Sequence, residues 1–312
     1  MQPIMVRDMQ PDDEYFVGTC SHVNESAEID ACGRRRLAWL RRTHEAGVRA
    51  KVARLDGEPV GFAYVMPIEV SPWGPLGRDL MVLDCLWVLP RAQHHGAGHA
   101  LVQAAEEEAR RQRRKALVTQ AYYHDFWFMP AVFFTGHDAA GTPRLGSGQA
   151  EVGRCGSAGA SPSQTAGGDV GRCPTSGTET GRYRACGFTR VAQRGKAAIL
   201  WKVFDASAEP PTFLESRYRY QPAPGKVVID LFFNTFCETS DIEAQRVREA
   251  AAEFGDAVVL HEYPADDRDV LLKHQTPRAI FVNGREIGWG YEAPKDGIRA
   301  AIQEALRAEP RP

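Results

Sequence analysis

The sequence predicts two α/β-containing units in tandem: an α+β unit with a mixed, mostly antiparallel sheet, then a smaller α/β unit. Three observations predict this. Strand-length apolar runs joined by hairpin signals alternate with helical repeats over 1–136 and again over 186–204. Residues 137–185 are rich in Gly, Ala, Ser and Thr and nearly lack large apolar side chains, so they bury too little area to offset their ordering entropy and read as a disordered insert. A proline-bearing linker spans 205–225, and a new strand–helix–strand series occupies 226–312.

Composition narrows the class. The chain has 312 residues, 43% hydrophobic and 25% charged, which suits a soluble protein of about two domains. A formal net charge of −2 offers no basic field for nucleic acid. The first residues lack a basic-then-apolar leader, and the run "LMVLDCLWVLP" is too short for a membrane span. Seven scattered cysteines with no C-x-x-C pair point to a reducing, cytoplasmic setting, without a disulfide framework or zinc site.

Element by element, "IMVRDM" reads as a strand, and 12–24 and 29–47 read as helices. "RAKVARLDGEPVGFAYVMPIEV" is a hairpin turning at Asp56-Gly57. "DLMVLDCLWVL" is a longer strand. It is followed by "LPRAQHHGAGHALVQAAEEEARRQRRK", where Pro90 ends the strand and Leu101, Val102, Ala105 and Ala109 mark one helix face. Glu106 and Glu107 stand four residues before Arg110 and Arg111, the favourable order for helix ion pairs. Strand "ALVTQAYY", helix "WFMPAVFF" and two strands in 187–204 complete the unit.

The turn before that helix carries the chemistry. Gly96 and Gly98 stand where a helix begins, and the first N–H groups of a helix lack internal partners. An anion can bind there, favoured by the helix dipole. A plain tight turn into a helix fits the glycines equally well. His94, His95 and His99 are additional donors. His95 and His99 are four apart, but no third metal ligand is evident, so no metal is expected.

The run Val88-Leu-Pro-Arg-Ala-Gln-His-His-Gly-Ala-Gly98 resembles the acetyl-CoA signature of the GNAT acetyltransferases, V-x-P-x-x-[QR]-x-x-G-x-[GA], with Val88, Pro90, Gln93, Gly96 and Gly98 filling every fixed position. The order of strands and helices is similar to that fold. The resemblance implies acetyl-CoA as cosubstrate, with its pyrophosphate held by backbone N–H groups of Gln93, His94, His95, Gly96, Ala97 and Gly98. It also implies a pantetheine arm paired to the strand edge at Leu86, Trp87 and Val88. The implied activity is direct acetyl transfer to an amine of an unidentified acceptor.

Such transfer needs a base, an acid for the leaving thiolate, and an oxyanion donor. Asp84 is the carboxylate within an apolar strand. Buried, it would have a pKa raised toward a useful base, or it is a hydrogen-bonded structural carboxylate. The family's usual acid is a tyrosine, and Phe134 stands at that position, so water, Tyr122, Tyr123 or His124 must serve. Trp127, Phe128, Phe133 and Phe134 read as core.

The second unit reads as strand 226–233, helix from about 238, strand 257–263, helix 267–275, a hairpin turning at Asn283-Gly284, and a closing helix 294–306. The apolar faces of 227–232 make its first strand central. This series resembles a thioredoxin-like domain, and the ending "EIGWGYEAPKDGIRAAIQEAL" resembles the YoaP-like acetyltransferases. The thioredoxin-like resemblance sets Cys237 at the nucleophilic cysteine and Thr276-Pro277 at a cis-proline, while Cys237-Glu-Thr-Ser240 is C-x-x-S. Ser240 is also a candidate helix cap. A structural role that positions substrate, or thiol-dependent redox or binding chemistry at Cys237, are the two readings.

Overall fold

The computed structural model describes residues 4–123, 130–140, 186–289 and 292–308. The first unit orders its elements as β1 (Met5–Asp8), α1 (Glu14–Gly18), α2 (Ala27–Thr43), β2 (Arg49–Leu55), β3 (Glu58–Pro67), β4 (Met81–Val88), α3 (Ala97–Arg111), β5 (Ala116–Tyr122), α4 (Ala131–Thr135), β6 (Thr189–Arg194) and β7 (Ala197–Val203). Its sheet runs β1-β2-β3-β4-β5-β7-β6. Every neighbouring pair is antiparallel except β4 with β5, which α3 connects as a crossover. The sheet is therefore mixed and mostly antiparallel. Asp56 and Gly57 take φ of 52° and 86°, the left-handed pair that a tight hairpin requires.

Two core layers flank this sheet. One lies under α3 and α4 and includes Met81, Leu83, Leu86, Val88, Leu101, Ala105 and Phe134. The opposite one lies under α1 and α2 and includes Phe16, Trp39, Phe62, Tyr64 and Trp87. The expected helix 12–24 is much shorter: α1 stops at Gly18, and Cys20, Ser21 and Asn24 adopt positive φ. Helix α2 starts earlier than expected because Ser26 Oγ caps it, accepting from the Ile29 N–H at 3.2 Å. Residues 124–129 and 141–185, which hold His124, Trp127, Phe128 and nearly all of the expected insert, lie outside the described residues.

The second unit contains β8 (Val227–Phe233), α5 (Glu238–Ala252), β9 (Val258–Pro264), α6 (Arg268–His274), β10 (Ala279–Val282), β11 (Arg285–Ile287) and α7 (Lys295–Ala308). Its sheet order is β11-β10-β8-β9, with β8 parallel to β9 and antiparallel to β10. Strand β8 is interior, as its apolar faces require. Asn283 and Gly284 take φ of 46° and 78°, the expected hairpin. Two expectations need correction. Ser240 does not cap α5: Cys237 is the N-cap residue, and Ser240 Oγ instead accepts from the Asn234 N–H at 2.9 Å. The Thr276–Pro277 bond is not cis; among the described residues only Gly74–Pro75 is.

The segment 205–225 is more than a tether. Leu76 and Thr212 form a β-bridge between it and the first unit. Tyr218 stacks on Phe281 with ring centroids 3.8 Å apart and donates to Asp230 Oδ2 at 2.7 Å. Among the described residues no helix is long and apolar enough to cross a membrane.

Candidate active site

The site begins with a misfit in β4. Tyr64 pairs with Cys85 and Val65 with Leu83, so Asp84 is an extra residue, a bulge. On the other side β4 pairs with β5 only at Met81–Leu117 and Val82–Val118. The strands then part, and Thr119 Oγ1 donates to Leu83 O at 2.9 Å at the fork. Beyond it, the β5-facing backbone edge of Leu86, Trp87 and Val88 pairs with no strand among the described residues. Their side chains are buried core, so these residues offer a ligand only their main chain. One of these acceptors is shared: Gln93 Nε2 donates to Val88 O at 3.2 Å.

At the end of β4 the chain makes a 3-10 turn over 90–92 and enters α3. His94 and Gly96 both have positive φ, 63° and 86°, and Gly96 is the N-cap residue. The first intrahelical bond runs from Ala100 N to Gly96 O at 3.0 Å, so helix geometry leaves the N–H groups of Ala97 and Gly98 without intrahelical acceptors. The two glycines serve different needs. A Cβ on Gly96 would meet nothing within 4 Å, so its requirement is the left-handed backbone beside open space. A Cβ on Gly98 would lie 3.2 Å from Phe133 Cζ, so its requirement is packing. His94 and His95 are exposed at this mouth, whereas His99 turns away, its ring edge-on to Phe133 and 3.7 Å from Cys186 Sγ.

Asp84 is buried, and burial pushes its carboxyl from 3.8 up to about 7, although a hydrogen bond from Ser71 and the charge of Arg268 pull it back down. Ser71 Oγ donates to Asp84 Oδ2 at 2.6 Å. Tyr122, with Val118 two turns of the pleat before it, lies on the β5 face that packs with Val82, which is also the face of Asp84. Its hydroxyl accepts from Gln120 Nε2 at 3.3 Å. Phe134 is fully buried core, as expected. Among the described residues no three or more His, Cys, Asp or Glu side chains could together hold a metal ion.

Sequence reasoning missed the seam between the units. Phe236 packs between Trp39 and Tyr64, with centroids 5.6 and 5.0 Å away. The buried Arg36 donates from Nε to Phe236 O and from Nη1 to Gly18 O, each at 2.8 Å. Arg35 pairs with Asp241 and Arg246 with Glu28, each at 2.6 Å. Arg268 Nη1 donates to Ser71 O at 3.1 Å. Cys237 lies against this aromatic cluster, and burial pushes its thiol up despite Arg278, the Ser240 N–H and Arg36 acting downward. The only sequence signal for this seam is the apolar Phe236 preceding Cys237 in the turn after β8.

The sequence model of the acetyltransferase (GNAT) family matches residues 11–126. No curated protein matches the chain. Solved structures similar to it include the ribosomal-protein-alanine N-acetyltransferase from Brucella melitensis, at 16% identity and TM-score 0.35 over 64% of this chain and 99% of that one. PaiA N-acetyltransferase from Thermoplasma acidophilum, in complex with coenzyme A, is 13% identical with TM-score 0.34, over 65% and 100%. A GNAT-family acetyltransferase from Elizabethkingia anophelis with acetyl-CoA bound is 15% identical with TM-score 0.25, over 39% and 67%. Residues 11–126, with β2 to β5 and the glycine turn, thus match the GNAT acetyltransferase family.

Proposed function

We propose that the protein is an acetyl-CoA-dependent N-acetyltransferase that passes acetyl directly to an amine in a ternary complex. The carrying observation is the parting of β4 from β5 beside a glycine-opened helix mouth. A strand edge that pairs with no strand among the described residues, beside Ala97 and Gly98 N–H groups that lack intrahelical acceptors, suits an extended amide arm ending in a pyrophosphate. Main-chain groups of Leu86, Trp87 and Val88 hold the arm, and N–H groups from Gln93 to Gly98 hold the phosphates. Bound acetyl-CoA supplies the activated acetyl thioester. Asp84, at the bulge, takes the ammonium proton; a carboxyl near pH 7 is matched to that task. A β4 backbone N–H stabilises the oxyanion. Tyr122, or His124 two residues on, returns a proton to the leaving thiolate.

The second unit reads as thioredoxin-like, a reading supported by its 4-3-1-2 strand order and the α5 start at Cys237. Cys237, Ser240, Thr276 and Pro277 then form a structural junction instead of a redox site, because the thiol faces the first unit. Cysteines scattered without a C-x-x-C pair fit a cytoplasmic protein.

The test incubates the full-length protein with acetyl-CoA and a set of small primary amines, followed by mass spectrometry. One or more acetylated amines should form in amounts equal to released CoA. Asp84→Asn should slow transfer by about 10²–10⁴-fold with acetyl-CoA affinity unchanged. Tight acetyl-CoA binding with no acetylated product would sink the proposal.

A further inference from the structure

We infer that the second unit is a working part of the transfer centre: Arg268, the first residue of α6, positions the Asp84 carboxylate through Ser71. This rests on the reading of Asp84 as the base. The link is continuous. Arg268 Nη1 donates to Ser71 O at 3.1 Å, and Ser71 Oγ donates to Asp84 Oδ2 at 2.6 Å. The Ser71 hydroxyl is fixed from the other side by the N–H groups of Gly74 and Trp73, at 3.1 and 3.3 Å. Its short contact to the carboxylate outcompetes the 3.2 Å contact to Gly74 O. Ser71 thereby holds Oδ2 and leaves Oδ1 to receive the proton.

Arg268 has no competing structural task. Among the described residues it closes no direct ion pair, yet it is a half-buried guanidinium, which is costly unless a nearby anion compensates. The anions acting on it are Glu69 and Asp84. Glu69 already pairs with Arg114 at 3.1 Å and accepts from the Asp79 N–H at 2.7 Å. Among the described residues, Arg268 is the one charged group that acts on Asp84. A cation from one unit and a buried carboxylate from the other therefore meet across Ser71. This gives the docked second unit a role that does not use its thiol.

The experiment uses the full-length protein. The Asp84 carboxyl band is assigned by infrared difference against Asp84→Asn and titrated without any acceptor. In Arg268→Gln its midpoint should rise by about one unit, and in Arg268→Lys it should stay near the native value. The pH profile of CoA release from acetyl-CoA, with water as acceptor, should shift its acid limb upward equally, with the alkaline plateau retained. Ser71→Ala, with Arg268 intact, should also raise the midpoint, and it stands in if Arg268→Gln does not fold. An unchanged midpoint in Arg268→Gln and Ser71→Ala, or equal shifts in the Gln and Lys variants, overturns the inference. If the midpoint moves but Asp84→Asn transfers acetyl normally, the link stands and the base assignment fails instead.

Discussion

Asp84 sets stability and function against each other. Its folded carboxyl titrates near 7 against an ordinary 3.8. Between those values the folded protein retains a proton that the unfolded chain has released. Unfolding free energy therefore falls as pH rises through this window. Asn cannot ionise, so Asp84→Asn should be more stable than the parent at pH 8 by about 2 kcal/mol or more, with the gain vanishing near pH 4. Calorimetric Tm values at the two pH values check this, and a constant difference would refute it. A lone carboxylate in an apolar strand was legible in the sequence. Its controllers were not: Ser71 lies 13 positions away, and Arg268 lies 197 from Ser71. No local pattern encodes such pairings. Phe134 was legible, because an aromatic between other apolar residues has few alternatives to burial.

At the scale of elements, the turn before α3 was legible in kind but not in detail. The motif marks both glycines alike, yet only Gly96 needs a left-handed backbone. Gly96→Ala should cost about 1–2 kcal/mol through backbone strain alone. Gly98→Val should cost about 1–3 kcal/mol through Phe133, with the Phe133→Leu background relieving most of it. Urea unfolding of the parent, the three single variants and the Gly98→Val/Phe133→Leu double variant separates the cases. The charges of α3 were misread. Glu106 reaches Lys202 on β7 at 2.7 Å, and Arg110 lies over the Phe204 ring, so the expected i,i+4 pair of Glu106 with Arg110 does not form. Helical spacing shows which residues share a face, but not which strand brings a lysine there. Glu108 carries the main load. Burial alone would raise its carboxyl, yet hydrogen bonds from Arg111, the buried Lys51 and Gln112 hold it at about 2. Stability from this group is complete above its ordinary 4.5 and is lost as pH falls toward 2. Glu108→Ala leaves the buried Lys51 with Asp8 as its remaining ion-pair partner and should cost about 1–3 kcal/mol at pH 7 by urea unfolding.

For the whole molecule, hairpin signals and helical repeats predicted the strands of both sheets and the β2–β3 and β10–β11 hairpins, whereas the β5–β7 and β8–β10 pairings each skip a strand and carry no local signal. The seam was illegible because it joins surfaces that look complete in isolation. Phe236→Asp should open it: Cys237 should then react with an aromatic disulfide reagent about tenfold faster or more, while both units keep their circular dichroism. Equal reactivity in the two proteins would mean that Phe236 does not shield the thiol.

The seam also has a consequence for how the protein is made. Its hydrogen bonds and ion pairs link positions about 200 residues apart, from 197 for Arg268 to Ser71 to 218 for Arg246 to Glu28. A ribosome adding about 5–20 residues per second takes about 10–40 s to cover that distance. For that interval Trp39 and Tyr64 await their cover, so a chain truncated after the first sheet should aggregate or recruit chaperones where the full chain does not.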